Sequence, residues 1–237
     1  MTPLNPYAYG GPEIFQAQKK LLETGTFSDL TIHCGGTVWH VHRAVLAPRC
    51  AFFDMVCSGE FAEAESQVVE LPEDDPEAVD TMLQYLYTLV VPSLNTSEKA
   101  RKAFEIADKY DLTNVSVEAR RVLLSVFQGI YSPAAGFGVP QATYKPAERL
   151  DDYWTWIQQC PGDTTEFREA LAKGCATKVS FTTIQEELIK YASENPEFGV
   201  LFMRKLEERA MMAEDALIDM YGGHRRLRRH RGLIHDG

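Results

Sequence analysis

The sequence contains no run of about 18 apolar residues, the length that a membrane-spanning helix requires. Its start, MTPLNPYAYGGPEIF, lacks the basic region and apolar stretch of a secretion signal. Its five cysteines are an odd number without CxxC spacing, which argues against a disulfide framework and against a zinc finger. We therefore predict an intracellular protein with reduced cysteines, no cofactor and no membrane partner.

Motifs for catalysis are also missing. The chain has no GxSxG, no cysteine-centred nucleophile signature and no GxxxxGK[ST] phosphate loop. The acidic run Glu73, Asp74 and Asp75 opens a predicted helix, where the helix dipole favours negative charge, so it requires no acid–base role. The sequence predicts no catalytic residue and no enzyme.

Metal binding is the one chemistry that the histidines suggest. His33, His40 and His42 lie near Cys34 and Cys50 in the sequence. No acidic or CxxC partner completes a set of four ligands, so structural histidines are the preferred interpretation over a metal site.

Composition indicates a folded protein with an uneven charge. The 237 residues are 45% hydrophobic and 24% charged, which is ordinary for a globular chain long enough for two units. The segment HRRLRRHR at 224–231 holds five arginines and no acid, so the remainder carries −15 against −10 for the whole chain. An acidic body repels nucleic acid, and a nucleic-acid partner is not expected.

The basic segment has three interpretations. A nuclear-import signal ranks first, a solvated tail is the plain alternative, and DNA contact ranks last because no aromatic residue is interleaved. Its candidate residues are Arg225, Arg226, Arg228, Arg229 and Arg231.

Proline and glycine positions, together with the spacing of apolar residues, divide the first half of the chain into short elements. Residues 1–12 are rich in proline and glycine, which predicts a flexible arm. Helical spacing over 13–24 predicts a first helix ended by Gly25, and alternation over 30–41 around Gly35-Gly36 predicts a β-hairpin. Two short helices split at Pro48 and a third strand at 67–71 follow.

The second half is predicted to be helical. Asp74 or Asp75 caps a helix from Pro76 to about Thr88, and two antiparallel helices extend to residue 128. A linker rich in glycine and proline spans 129–147, a helical unit spans 148–222, and a basic tail spans 223–237. Within that unit we predict a helix around Glu166 to Ala172 and a last helix ended by Gly222-Gly223.

The order of these elements and several motifs together resemble the BTB/POZ family. The motifs are FSDL at 27–30, HRAVLA at 42–47, FF at 52–53, LPEDDPE at 71–77, YLYT at 85–88 and IADKYDL at 106–112. The resemblance implies an α+β BTB/POZ fold at 13–128, a small mainly antiparallel sheet flanked by helical hairpins, followed by an all-α C-terminal unit. The LPEDDPEAV wording is similar to short BTB proteins of filamentous fungi. The loop at 90–97 is longer than in most members, which puts a fourth strand in question.

The resemblance implies a homodimer with a charged pocket near its contact, at Asp29, His42 and Arg43. A buried Asp29 must be paired, and Arg43 or His42 is the expected partner. The alternative is that Asp29 only caps a turn. The apolar face of the first helix exceeds what a small unit needs to bury, which supports self-association.

Phe61 and Glu63 fit the pattern by which BTB adaptors bind cullin-3. Phe61 would be an exposed anchor and Glu63 a charge at the rim, although Phe61 could instead fold onto the domain's own core. We predict a non-enzymatic adaptor that recruits an unidentified client to a cullin-3 ubiquitin ligase. The alternative is an oligomerisation module of a nuclear, transcription-associated protein without a ligase role.

Overall fold

The structure, a computed structural model, describes residues 11–58, 67–130, 146–160, 162–177 and 182–231, and their side chains over 13–58, 67–130, 149–160, 162–177 and 186–216. The described part contains three strands, β1 Leu30–Cys34, β2 Thr37–Val41 and β3 Val68–Glu70. Its ten α-helices are α1 Gly11–Thr24, α2 Arg43–Leu46, α3 Ala51–Cys57, α4 Pro76–Thr88, α5 Ser97–Lys109, α6 Thr113–Gln128, α7 Pro146–Gln159, α8 Thr165–Ala176, α9 Thr182–Glu194 and α10 Pro196–Arg231.

The chain divides into two compact units, Met1–Leu123 and Leu124–Gly237, so the division falls inside α6. The first unit combines a three-stranded sheet with helices, and the described part of the second is helical. This confirms the predicted α+β fold followed by a helical region. No helix in the described part of the chain is long and apolar enough to cross a membrane.

The predicted hairpin forms two of the three strands of the sheet, with β1 at the centre. Leu30, Ile32 and Cys34 alternate inward on β1, which pairs antiparallel with β2 around Gly35 and Gly36. Both glycines have positive φ, 53° and 82°, as a two-residue hairpin turn requires. β3 pairs parallel with the other edge of β1, so the strand order is β2-β1-β3 and the sheet is mixed.

Helix α4 supplies much of the core of the first unit and confirms the predicted bounds. Asp75 caps it by accepting hydrogen bonds from the N–H groups of Glu77 and Ala78, and Pro76 occupies the first turn. The inner residues are fully buried: Val79, Met82, Leu83, Leu86 and Tyr87. The fully described stretch 89–96 contains no strand, and α5 begins directly after its cap Thr96.

Aromatic rings fill the core of the second unit. Phe127, at the end of α6, contacts the rings of Tyr153 and Phe167 at centroid distances of 5.1 and 5.6 Å. On α10, Phe198 stacks on Phe202 and meets Trp154 edge-on at 5.4 Å. These rings are buried and tie α6, α7, α8 and α10 together.

Two predicted helix ends in this unit were wrong. Helix α8 extends to Ala176, past the predicted end at Ala172, and α10 continues through Gly222-Gly223 to Arg231. Glycine disfavours a helix interior by about 1 kcal/mol per residue but does not forbid it. The helix-forming residues on either side of these glycines therefore outweigh their cost, and both helices continue past them.

Candidate functional site

His42 joins three parts of the first unit through hydrogen bonds. Its Nδ1 lies 2.7 Å from the hydroxyl of Tyr87 on α4, and its Nε2 lies 2.8 Å from the carbonyl of Thr26. The carbonyl can only accept, so Nε2 donates to it, and in the tautomer with its single proton on Nε2 the Nδ1 atom accepts the proton of Tyr87. The His42 main-chain N–H donates to the same hydroxyl at 2.9 Å. His42 is therefore a buried side chain that links α4 to the hairpin.

Tyr87 is fully buried at the other end of this link. Burial raises the pKa of its phenol to about 12, and this outweighs the lowering effect of the hydrogen bond from His42. The hydroxyl consequently stays protonated at neutral pH and can donate to Nδ1 while it accepts from the main chain.

Asp29 stands beside this link, on the solvent side. Its Oδ1 accepts the main-chain N–H of Arg43 at 2.8 Å, and its own N–H donates to the carbonyl of Val41 at 3.1 Å. Arg43 is the first residue of α2, so the carboxylate satisfies an N–H that the helix leaves open. The structure thus brings the predicted pair together through the main chain of Arg43, and Asp29 is exposed instead of buried.

Two apolar side chains in the first part of the domain, before β1, are uncovered. Phe27 is 90% exposed and holds a left-handed φ of 65°. Ile14 on α1 is 53% exposed, and no described side chain of α1 is fully buried. Burial raises the pKa of the Cys57 thiol at the end of α3, the charge of Arg43 lowers it by a smaller amount, and the charge of Asp29 raises it slightly.

The cullin-binding candidates Phe61 and Glu63 lie in 59–66, outside the described residues. The side chains of the candidate import residues Arg225 to Arg231 are likewise not described, although their backbone belongs to α10. His33 pairs with Glu70 across the β1–β3 register at 2.8 Å. Across the described part of the chain, no group of three or more acids, cysteines and histidines could hold a metal ion.

Comparison with known families decides the identity of the first unit. Residues 18–125 match the model of the BTB/POZ domain. The chain carries a BTB/POZ domain. The match spans α1 to α6 and so includes the His42–Tyr87 link, Asp29 and Arg43.

Known proteins that match are BTB proteins. Human Kelch repeat and BTB domain-containing protein 4 is 28% identical over 110 residues, which cover 46% of this chain and 20% of that protein. Mouse Kelch-like protein 11 is 26% identical over 203 residues, covering 78% of this chain and 28% of the relative. Mouse TD and POZ domain-containing protein 4 is 30% identical over 98 residues, covering 41% and 26%. The chain thus spans between a fifth and a third of the length of these relatives.

Among solved structures, the BTB domain of zebrafish PATZ1 matches with a TM-score of 0.39 and 19% identity, over 47% of this chain and 88% of that one. The likeness to fungal BTB proteins stays a prediction.

An ion-pair network that the sequence did not suggest holds the start of α4 against α5 in the BTB domain. The ammonium of Lys102 lies 3.1 Å from Asp75, 3.2 Å from Glu77 and 3.3 Å from Glu98. Burial raises the pKa of Asp75 and of Glu77, but hydrogen bonds from Lys102, with Lys99 on Glu77, outweigh it, so the pKa of each is lowered. The i,i+4 spacing of Glu98 and Lys102 on α5 suggests one pair, but it could not reveal the others, because Glu77 lies 25 residues earlier and Asp75 two residues before it.

Replacing Lys102 with methionine is expected to weaken the acid dependence of stability. Carboxylates whose pKa is lowered by folding stabilise the fold above their unfolded pKa, and this stability is lost as pH falls through the folded pKa. We expect the free energy of unfolding to fall by about 0.5–1 kcal/mol at pH 7, a small amount because the groups are partly exposed. This loss should shrink below about pH 4. Urea unfolding at pH 7 and pH 3 measures it. Lys19→Met, which removes a single exposed pair with Glu23, is the control. An undiminished loss at pH 3 would contradict the assignment.

Proposed function

We propose that this protein is a non-enzymatic adaptor that homodimerises through its BTB domain and recruits a client protein to a cullin-3 ubiquitin ligase. The observation that carries the proposal is the BTB match at 18–125, shared with proteins named for Kelch repeats and BTB domains. BTB proteins of this kind work by protein–protein interaction, and the same is expected here. The client is unidentified, and a cytoplasmic or nuclear location fits this role.

The uncovered apolar side chains on α1 and just before β1 support the dimer. Phe27 and Ile14 expose apolar area that folding of one chain does not bury, and large exposed apolar side chains mark interaction surfaces. Asp29 and Arg43, with the buried His42 behind them, would form the charged pocket beside the contact. A second copy that covers α1 and Phe27 would remove this area from water.

Phe27→Asp is expected to weaken the homodimer at least tenfold, because it places a charge in an apolar contact. Aspartate tolerates the left-handed conformation at this position better than phenylalanine, so the fold of the monomer should be kept. Sedimentation equilibrium at micromolar concentration measures the change. Val117→Asp, at a position 61% exposed on α6, is the matched control. Equal masses for Phe27→Asp and the unmutated protein would refute this dimer face.

Cullin binding is proposed for Phe61 and Glu63 on the sequence pattern that they share with BTB adaptors. Phe61→Ala should weaken binding to the purified cullin-3 N-terminal domain by about 2 kcal/mol if the ring is an interface anchor. Glu63→Lys should slow association by reversing a rim charge. Calorimetry of the full chain measures both, with Glu73→Lys, an exposed acid elsewhere in the domain, as the control. No binding by the unmutated protein would remove the ligase role.

The arginines of 224–231 favour a second candidate function. A nuclear, transcription-associated module would self-associate through the BTB domain, show no cullin affinity, and depend on this segment for nuclear import. The cullin titration therefore separates the two functions.

A further inference from the structure

A cleft opens in the BTB domain between α1, the outer strand β2 and α4. It has a volume of about 430 Å³, which is within the range of pockets that hold small ligands. Trp39 and His40 of β2 line one side, Asp80 and Gln84 of α4 line a second, and the C-terminal half of α1 lines the third. Aromatic and charged side chains therefore meet in one concave place.

Asp80 is a half-buried carboxylate that its neighbours hold in place. Its Oδ1 accepts the indole N–H of Trp39 at 3.3 Å, and its Oδ2 accepts the amide of Gln84 at 2.6 Å. Each carboxylate oxygen has two acceptor positions, so each keeps one. Among the described residues, no lysine, arginine or histidine forms an ion pair with Asp80. The carboxylate is thus oriented by two neutral donors and lacks a cation.

The charge of the cleft as a whole is also negative. Glu23 on α1 is the second acid in the lining, and the only lysine there, Lys19, lies 3.6 Å from it. Two acids and one lysine leave a net negative charge when His40 is neutral. A cleft lined by one sign of charge attracts ligands of the opposite sign.

Trp39 adds a preference among cations. Its indole N–H points at Asp80, so a cation bound to that carboxylate lies beside the indole ring. The guanidinium of arginine is planar, donates two parallel hydrogen bonds to a carboxylate and packs against aromatic rings. The ammonium of lysine is a strongly hydrated point charge and cannot form the paired hydrogen bonds.

We propose that this cleft binds an arginine side chain of a partner protein. The guanidinium donates to the remaining acceptor position on each oxygen of Asp80 and packs beside Trp39. Glu23 contributes negative charge at the rim, where its side chain is 61% exposed.

The mouth of the cleft suits a protein segment better than free arginine. β2 is an outer strand in the order β2-β1-β3, and Val38 on it lines the cleft and is 50% exposed. An extended segment can therefore place apolar residues against Val38 while its arginine enters the cleft. Free arginine lacks these residues, and its own carboxylate is repelled by the acids of the cleft.

The cleft and the proposed dimer face lie on different sides of α1. At about 100° per residue, Lys19 and Glu23 are roughly 140° and 180° around the helix from Ile14. The binding proposed here therefore rests neither on dimerisation nor on cullin binding.

Fluorine NMR of the full chain labelled with 5-fluorotryptophan tests the site. The probe is the blocked tripeptide acetyl-Val-Arg-Val-amide, which should shift the Trp39 resonance in a saturable way. Trp154 and Trp156, in the second unit, should not respond. The same tripeptide with citrulline, a neutral analogue of arginine, should bind at least about tenfold more weakly, and so should free L-arginine. A lysine tripeptide should bind about threefold more weakly or worse.

Two variants assign the binding to the acids. Asp80→Asn keeps an oxygen for the N–H of Trp39 but removes the charge, so it should raise the dissociation constant at least about tenfold. Glu23→Gln, at an exposed position, should raise it about twofold. Asp108→Asn, an exposed acid on α5, is the matched control and should change nothing. The Trp39 resonance in a urea titration checks that each variant is folded.

The proposal is overturned if the Trp39 resonance does not shift, if the citrulline tripeptide binds as tightly as the arginine one, or if folded Asp80→Asn binds like the unmutated chain. Should Asp80→Asn fail to fold, unchanged binding by Glu23→Gln would count against the site. Equal affinity for the lysine tripeptide would refute the selectivity for arginine. Equal affinity for free L-arginine would refute a protein partner.

Discussion

Replacing Gly174 with alanine is expected to destabilise the C-terminal unit by about 3 kcal/mol, although the same change in an open helix stabilises by up to about 1 kcal/mol. A Cβ at this position would lie 2.1 Å from the carbonyl oxygen of Phe127 and 3.0 Å from the Cα and carbonyl carbon of Gln128. These are backbone atoms, which cannot turn aside as a flexible side chain can. Helix α8 must therefore move away from the end of α6.

The cost of that movement follows from what packs beside it. Phe127 and Phe167 are fully buried, and their rings meet edge-on with centroids 5.6 Å apart. A shift of α8 opens this contact and leaves a gap that neighbouring rings cannot fill, because interiors are close-packed. In an open helix this substitution stabilises, so a loss of stability here would be diagnostic of the close contact between α8 and α6.

Fluorine NMR of 5-fluorotryptophan protein measures the effect. Trp154 and Trp156 report on the second unit and Trp39 on the first, so one urea titration follows both units. Only the resonances of Trp154 and Trp156 should shift their transition in Gly174→Ala. The neighbouring exposed Lys173→Ala is the control. A stability change below about 0.5 kcal/mol, the usual size for surface substitutions, would disprove the close approach.

Gly174 also shows where prediction from sequence reached its limit. The sequence predicts a helix around Glu166 to Ala172, yet the helix extends past Gly174 to Ala176. The glycine serves a contact with a helix some 50 residues earlier, and no local pattern carries that information. Elements with a regular period and a clear cap, such as α4 with Asp75 and Pro76, were predicted with their bounds because these signals are local.

The candidate site was predicted in part for the same reason. The FSDL and HRAVLA motifs indicate Asp29, His42 and Arg43, and the structure brings Asp29 to Arg43. Sequence could not show that the contact uses the main chain of Arg43. Nor did it single out Tyr87, which lies 45 residues from His42. A buried tyrosine in a helix does require a polar partner, and that signal was available in YLYT.

The His42–Tyr87 link also positions the surface proposed for dimerisation. His42 stands between β2 and α2, and its Nε2 holds the carbonyl of Thr26, the residue before Phe27. Loss of the hydrogen bonds of His42 would therefore destabilise both α2 and the segment that precedes β1. Substitutions of Tyr87 should therefore lower the stability of the BTB domain and weaken the proposed dimer together, although the Tyr87 hydroxyl itself is buried.

Tyr87→Phe is accordingly expected to destabilise the BTB domain by about 2 kcal/mol at neutral pH. The change leaves Nδ1 and the main-chain N–H of His42 without the hydroxyl that satisfies both, and unsatisfied buried groups cost about 1–3 kcal/mol. Tyr85→Phe on the same helix is the control. It removes one hydrogen bond from Asn114 and should cost about 1 kcal/mol or less.

The pH dependence of this loss identifies the buried phenol as its cause. Folding raises the pKa of Tyr87 from 10.0 to about 12, so its contribution is fully present below pH 10 and lost as pH rises to 12. The difference between the unmutated protein and Tyr87→Phe should therefore be constant from pH 7 to 9 and fall to roughly a third of that value at pH 11, because about 1.4 kcal/mol is lost per pKa unit. Other buried tyrosines such as Tyr110 titrate in both proteins and cancel in the comparison. The Trp39 resonance in urea titrations at each pH measures the difference, and a loss unchanged at pH 11 would show that packing, and not the hydroxyl, accounts for it.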